Sequence, residues 1–410
     1  MTNSFAHGVA LRWQVLTAAP HRMLFATGLA WLVAWSAWWA ALLAGRAAGS
    51  AALEPVIPAL LLHGAAMLFL VLPPFMYGFL LTVFPRWMPA PEPPRSAMLA
   101  ALVLLNAGHL LALVGALFHP ASALAAGGWL LATLALAVVG AVLLGVLRGA
   151  RQRVAHAYAV LAGLAAGLAG MLLAAWMLAS GAFQTWPLVR GIGLWGFLLV
   201  VYFAVCHRMI PFFSSRVVPG YVSWRPDWLL YLFVALALGR GLLELAPGLA
   251  WLASAPLAAI ALACVVRWHP RRRTGVRLLD VLHIALGWLA AGLLLAAASD
   301  LAAVLGAPGL FGRAALHALG MGFFGGMLMA MVTRVTLGHS GRPLALDATN
   351  WRLFLLVQAA TVLRIASEFL PPATGWLGLA AALLWLAAFG AWSARQLPVY
   401  FRPRADGAPG

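Results

Sequence analysis

The sequence predicts an all-α polytopic membrane helix bundle of about twelve transmembrane helices. Three observations carry this. Of its 410 residues, 64% are hydrophobic and only 9% charged, a balance outside the range of soluble domains. Apolar runs long enough to cross a bilayer recur along the whole chain. The cationic residues gather at the ends of those runs.

The runs cover about 22–45, 55–83, 97–118, 126–148, 155–179, 186–212, 227–246, 249–267, 278–303, 312–336, 350–371 and 375–396, each close to or above the roughly 20 residues of a spanning helix. They make one integral membrane domain, 1–410, whose first partner is the lipid bilayer. The first run exceeds a signal-peptide core and reads as a retained anchor. In the second, Pro73-Pro74 is expected to kink the helix and free carbonyls for a neighbour or cofactor. The seventh and eighth divide at Glu244-Leu-Ala-Pro-Gly, a Pro-Gly break. The tenth is unlike a lipid-facing helix. It carries His317, glycines at 320, 322, 325 and 326 and methionines at 321, 327, 329 and 331. Such glycines let a backbone approach another helix or a flat cofactor, and an ionisable group inside a span is a functional-site hypothesis.

The net charge is +17, and all 26 cationic residues are arginine. Taken span by span, 21 fall on one side of the membrane, and Arg46, Arg190, Arg240, Arg313 and Arg364 fall on the other. This bias puts both termini in the cytoplasm and excludes a nucleic-acid surface, which gathers its charge on one soluble face. Cys206 and Cys264 lie in predicted helices and suggest no disulfide framework. There is no Gly-rich phosphate loop, hydrolase elbow or CxxCH motif, so any haem is non-covalent.

Arg86, Arg208 and Arg334 close the second, sixth and tenth runs at spacings of 122 and 126 residues. Three four-helix units in a pseudo-threefold bundle would produce this spacing; three ordinary boundary arginines would too. The same arginines suit an anionic group at the inner surface, or lipid phosphate.

Of the eleven histidines, His7, His21, His119, His156 and His269 read as ordinary polar residues near helix edges and loops, and His109 is ambiguous. The topology sorts the rest by depth into an outer pair, His63 and His317, and an inner trio, His207, His283 and His339. Imidazole is a common metal ligand and an axial ligand of haem iron. The outer pair would clamp a haem, with Gly320 and Gly322 making room for the ring and His109 as the next ligand candidate. The inner trio, with Met and Cys nearby, would suit copper. Taken singly, each is as readily a hydrogen-bonded core histidine, and the layering also fits a proton relay.

Several strings resemble the conserved blocks of the NnrS family. They are His317-Ala-Leu, Gly325-Gly-Met, Thr333-Arg-Val-Thr-Leu-Gly-His-Ser-Gly-Arg-Pro343, Gly78-Phe-Leu-Leu-Thr with Pro85-Arg-Trp, and His207-Arg-Met-Ile-Pro-Phe-Phe213. The resemblance implies a bacterial inner-membrane protein associated with haem and copper and linked to nitric oxide metabolism and nitrosative-stress tolerance. One departure stands in span two. Where the family carries His-x-His-Glu-Met, this chain has His63, Ala65, Ala66 and Met67. At fold level the plan also resembles the catalytic subunit of haem-copper oxidases. Three functions are open: a haem protein binding or processing nitric oxide, a nitric-oxide-related oxidoreductase included; a transporter or channel with a His- and Arg-lined path; and a metal-free membrane scaffold. A transporter predicts inverted repeats, whereas the arginine spacing points to direct ones.

Overall fold

The computed structural model describes residues 12–117, 122–270, 274–370 and 374–407; His7, His119 and the three arginines 271–273 lie outside them. Among the described residues there are twelve long helices and no strand. In chain order they are α1 (Pro20–Ala47), α2 (Ala59–Trp87), α3 (Arg95–Leu117), α4 (Ser122–Gly149), α5 (Ala155–Ser180), α6 (Phe183–Val217), α7 (Asp227–Leu245), α8 (Pro247–Trp268), α9 (Arg277–Val304), α10 (Ala314–His339), α11 (Ala348–Phe369) and α12 (Thr374–Tyr400). Eleven of them are long and apolar enough to cross a membrane. The exception is α11, whose apolar run is interrupted by Arg352, Gln358, Arg364 and Glu368. The break between α7 and α8 falls where expected, as two 3-10 turns, Leu243–Leu245 and Pro247–Leu249.

Three helices form the centre. In α2, α6 and α10, 89, 78 and 72% of the apolar stretch is buried, against 28–50% in the other eight spans. The rest form a closed ring in the order α1, α3, α4, α5, α7, α8, α9, α11, α12, with α12 packing back on α1. Each inner helix is thus the second of a four-helix unit, and all three run in the same direction. This is the pseudo-threefold plan that the arginine spacing suggested.

The repeat extends well beyond the arginines. A cavity of about 460 Å³ on the central axis is lined by Phe79 and Leu80 of α2, Val201 and Tyr202 of α6, and Met327 and Leu328 of α10. Those pairs are again 122 and 126 residues apart. Each inner helix also contains a π-helical stretch: Met67–Val71, Ile192–Leu199 and Ala318–Gly325. The last two are separated by the same 126 residues. A π turn inserts a residue into the α ladder, re-aims the side chains around it and is frequent at functional sites. In α2 it stands directly before Pro73-Pro74, where the missing N–H groups would have interrupted the α ladder in any case.

Small residues let the inner helices in. On α5, a Cβ at Gly163 or Gly167 would come within 2.6 Å of Val201 or Phe197 of α6. Without a hydrophobic drive between helices in lipid, such close van der Waals contact is the main source of packing energy.

Candidate functional site

A cavity of about 1020 Å³ opens between α1, α2, α6, α10, α11 and α12, near the arginine-poor end. His63, Gly64 and Met67 line it from α2, and His317, Gly320 and Met321 line it from α10. The two histidines paired by depth therefore meet in one cavity.

Each imidazole is held differently. His317 closes the first turn of α10, just before the π stretch. Its Nδ1 lies 3.0 Å from the carbonyl oxygen of Arg313. A carbonyl only accepts, so Nδ1 carries the proton and Nε2 keeps the lone pair. Metal-bound histidines commonly use this backbone anchor. His63 lies flat against Trp39 of α1, with ring centroids 4.0 Å apart and planes at 13°. Its Nδ1 is buried and has no hydrogen-bond partner.

Two cationic groups that sequence reasoning did not assign to the site line the same cavity: Arg190 from α6 and Arg364 from α11. Arg190 donates to Glu244 at 2.6 Å, and Arg364 pairs with Glu368 at 2.6 Å. Glu244 also accepts from Arg240 at 3.0 Å. Arg240 in turn donates to Asp300 and to Ser254 Oγ, 2.9 Å away. A buried ionic network thus backs one wall of the cavity. The available signal was the i,i+4 spacing of Arg240 with Glu244 and of Arg364 with Glu368 inside apolar helices.

The two glycines part company. Nothing lies within 4 Å of a Cβ built at Gly320, which faces the cavity. A Cβ at Gly322 would be 2.5 Å from the ring of Trp288 on α9, so Gly322 makes room for a tryptophan. His109 is fully buried between α1 and α3, accepts from Trp35 Nε1 at 3.1 Å, and does not line the cavity.

Arg86, Arg208 and Arg334 stand at the opposite ends of α2, α6 and α10. From His63 to Arg86 is 23 residues, roughly 35 Å along the helix at 1.5 Å per residue. Arg208 stacks over Trp87 at 5.1 Å and Arg334 over Phe213 at 3.8 Å, while Arg86 is exposed. None of the three lines the cavity.

His207, His283 and His339 are not brought together. Each pairs with a histidine that had read as ordinary. His207 Nδ1 is 2.9 Å from His156 Nε2, His283 packs on His269 at 5.7 Å between centroids, and His339 on His21 at 4.5 Å. Among the described residues, no three His, Cys, Asp or Glu side chains group to hold a metal. The inner trio therefore does not fit a three-ligand copper centre. The reason is topological: the three residues sit on α6, α9 and the end of α10, which face different neighbours at that depth.

The chain matches the model of the NnrS protein family over residues 15–404, nearly its whole length, and belongs to that family. Comparison with curated proteins gives no match.

Proposed function

We propose that this NnrS-family membrane protein holds a non-covalent haem in the cavity between α2, α6 and α10 and binds nitric oxide there. The observation that carries the reading is that His63 and His317, on two inner helices, enter one cavity together with Arg190 and Arg364. The residues fit the group. His63 and His317 would hold the iron of a porphyrin through one or both imidazoles, nitric oxide taking a vacant or displaceable position. The arginines suit its carboxylates, and the open face of Gly320 leaves space for a flat ring.

A haem held there would supply a redox-active iron able to bind nitric oxide. The chain's own groups do the rest. The Arg313 carbonyl fixes the His317 tautomer and presents the Nε2 lone pair. Trp39 holds the plane of His63. Leu68, Val71, Leu72, Leu194 and Phe324 exclude water and admit an apolar gas. The central cavity begins one turn further along α2 and α10, at Phe75 and Met327, and two turns further along α6, at Val201. Nitric oxide as the ligand rests on the family resemblance. The three parallel units weigh against a transporter, which expects inverted repeats.

The deciding measurement is the absorption spectrum of purified protein, before and after anaerobic addition of nitric oxide to the reduced form. A Soret band that shifts is the expected result; a colourless, fully folded protein overturns the proposal. The same reading makes this a bacterial inner-membrane protein with cytoplasmic termini, supported by the arginine surplus at one end. A reporter that works only in the cytoplasm should be active when fused to the C-terminus.

A further inference from the structure

The two ends of the bundle balance charge differently. At the cavity end, Arg46, Arg190, Arg240 and Arg364 each pair with a carboxylate. The other end has 21 arginines and only five carboxylates, Glu92, Asp227, Asp280, Asp347 and Asp406. The surplus is buried at one point. Arg22, at the start of α1, is 3% exposed, and its Nη1 donates to the carbonyls of Tyr400 and Arg402 at 3.3 and 2.9 Å. Those oxygens solvate the guanidinium but do not neutralise it. The Ala405 N–H donates to the Ser340 carbonyl at 2.9 Å, which joins the segments that carry Arg404 and Arg342, and Arg22 bonds the same tail at Arg402. The His21 and His339 rings meet tilted, with centroids 4.5 Å apart, and His21 Nδ1 lies 3.5 Å from Thr82 Oγ1, one turn before Arg86. Arg404 also donates to the His339 carbonyl at 3.3 Å, which ties the tail after α12 to the end of α10. Arg342 Nη1 is buried with no hydrogen-bond partner. Among the described residues, one carboxylate is seen to pair within this group: Asp406, bonded by both ends of Arg404 at 2.9 and 2.6 Å.

A buried cation such as Arg22 is ordinarily paired; around it Arg86 is exposed and Arg342 and Arg404 are half-buried. Four guanidiniums from four segments, with one carboxylate and one unfilled buried donor, make an incomplete ionic cluster. Guanidinium forks match the oxygens of phosphate. We propose that Arg22, Arg86, Arg342 and Arg404 form a binding site for a phosphate-class oxyanion, supplied by a lipid headgroup or by a soluble molecule. An open groove lined by Arg12, Trp13, Leu397, Phe401 and Arg402 adjoins it and would accommodate an acyl chain.

The test uses full-length protein, delipidated in a neutral detergent, and thermal unfolding at constant ionic strength set with chloride. One arm titrates inorganic phosphate. The other compares nanodiscs of phosphatidylglycerol with nanodiscs of phosphatidylcholine. A saturable rise in unfolding temperature with phosphate identifies a soluble oxyanion; a rise with phosphatidylglycerol alone identifies the headgroup. In either case Arg342→Gln should weaken the effect at least about tenfold, the scale of one charged hydrogen bond. Without anion, Arg342→Gln should melt no lower than wild type, because it relieves repulsion. Arg86→Gln, exposed and easily tolerated, repeats the test should Arg342→Gln fold poorly. Absence of any anion effect on wild type, or an equal effect on the variants, overturns the site.

Discussion

His317 Nδ1 donates to the Arg313 carbonyl, one turn earlier on the same helix, at 3.0 Å. This bond turns an imidazole that could face either way into a ligand with a defined donor atom, and it couples the ring to the start of α10. His317→Ala should leave membrane insertion and helical content unchanged, since the side chain is half-buried at a cavity wall. It should remove or shift the Soret band. His63→Ala should do the same from the opposite wall. Two variants with the wild-type spectrum would move the ligands elsewhere.

Gly320 and Gly322 are two residues apart and should respond in opposite ways. A methyl at Gly322 collides with the Trp288 ring at 2.5 Å, and overpacking of this kind costs about 1–3 kcal/mol. Gly322→Ala should therefore lower the unfolding temperature of the haem-free protein. Gly320→Ala meets nothing within 4 Å and should melt as wild type. Gly320→Trp, which fills the cavity, should abolish haem uptake with little loss of apoprotein stability. A Gly320→Trp apoprotein as unstable as that of Gly322→Ala would place Gly320 in the packing instead.

These contrasts mark what the sequence made legible. Spans are long apolar runs, so their number and most boundaries followed from hydropathy, and His63 and His317 could be matched because depth follows from position within a span. Arg86, Arg208 and Arg334 disclosed the threefold repeat because charge at a helix end is visible in a string. The π stretches were not visible, since no residue pattern separates Ile192–Leu199 from ordinary helix. The histidine pairs escaped because His21, His156 and His269 acquire their partners only through ring closure and helix rotation. Arg190 and Arg364 read as exceptions to a topology rule, whereas pairing with Glu244 and Glu368 makes them part of a cavity wall.

The ionic network behind that wall should be far more costly to break than a surface pair. Arg240 and Glu244 are 8 and 10% exposed and Asp300 14%. Removing Arg240 strands Asp300, which keeps only the Ser254 hydroxyl, while Glu244 keeps Arg190; breaking a buried pair in this way typically costs about 3–5 kcal/mol. Arg395 and Asp347 are 43 and 51% exposed, and such a pair contributes under about 1 kcal/mol. Denaturant unfolding of Arg240→Ala and Arg395→Ala in detergent micelles checks this, and equal shifts would refute it. Arg240→Ala paired with Asp300→Asn should recover much of the loss, because the uncompensated charge is then gone.

Arg190 and Arg364 should govern how tightly the haem is held without altering how its iron is ligated. Both line the cavity, and each is steadied by a glutamate at 2.6 Å. A guanidinium already bonded to a carboxylate keeps further N–H donors for a second one. Each substitution to glutamine removes a charged hydrogen bond, worth roughly tenfold in affinity, and leaves its glutamate to repel an incoming carboxylate. Arg190→Gln and Arg364→Gln should therefore lose haem to apomyoglobin about tenfold faster, with the Soret maximum where wild type has it. The His317→Ala variant should instead move the maximum. Haem with its propionates esterified supplies the control: it should bind wild type weakly and gain nothing from the arginines, so wild type and the double variant should release it at similar rates. A double variant that still releases the ester much faster than wild type would mean that the arginines shape the cavity rather than hold the carboxylates.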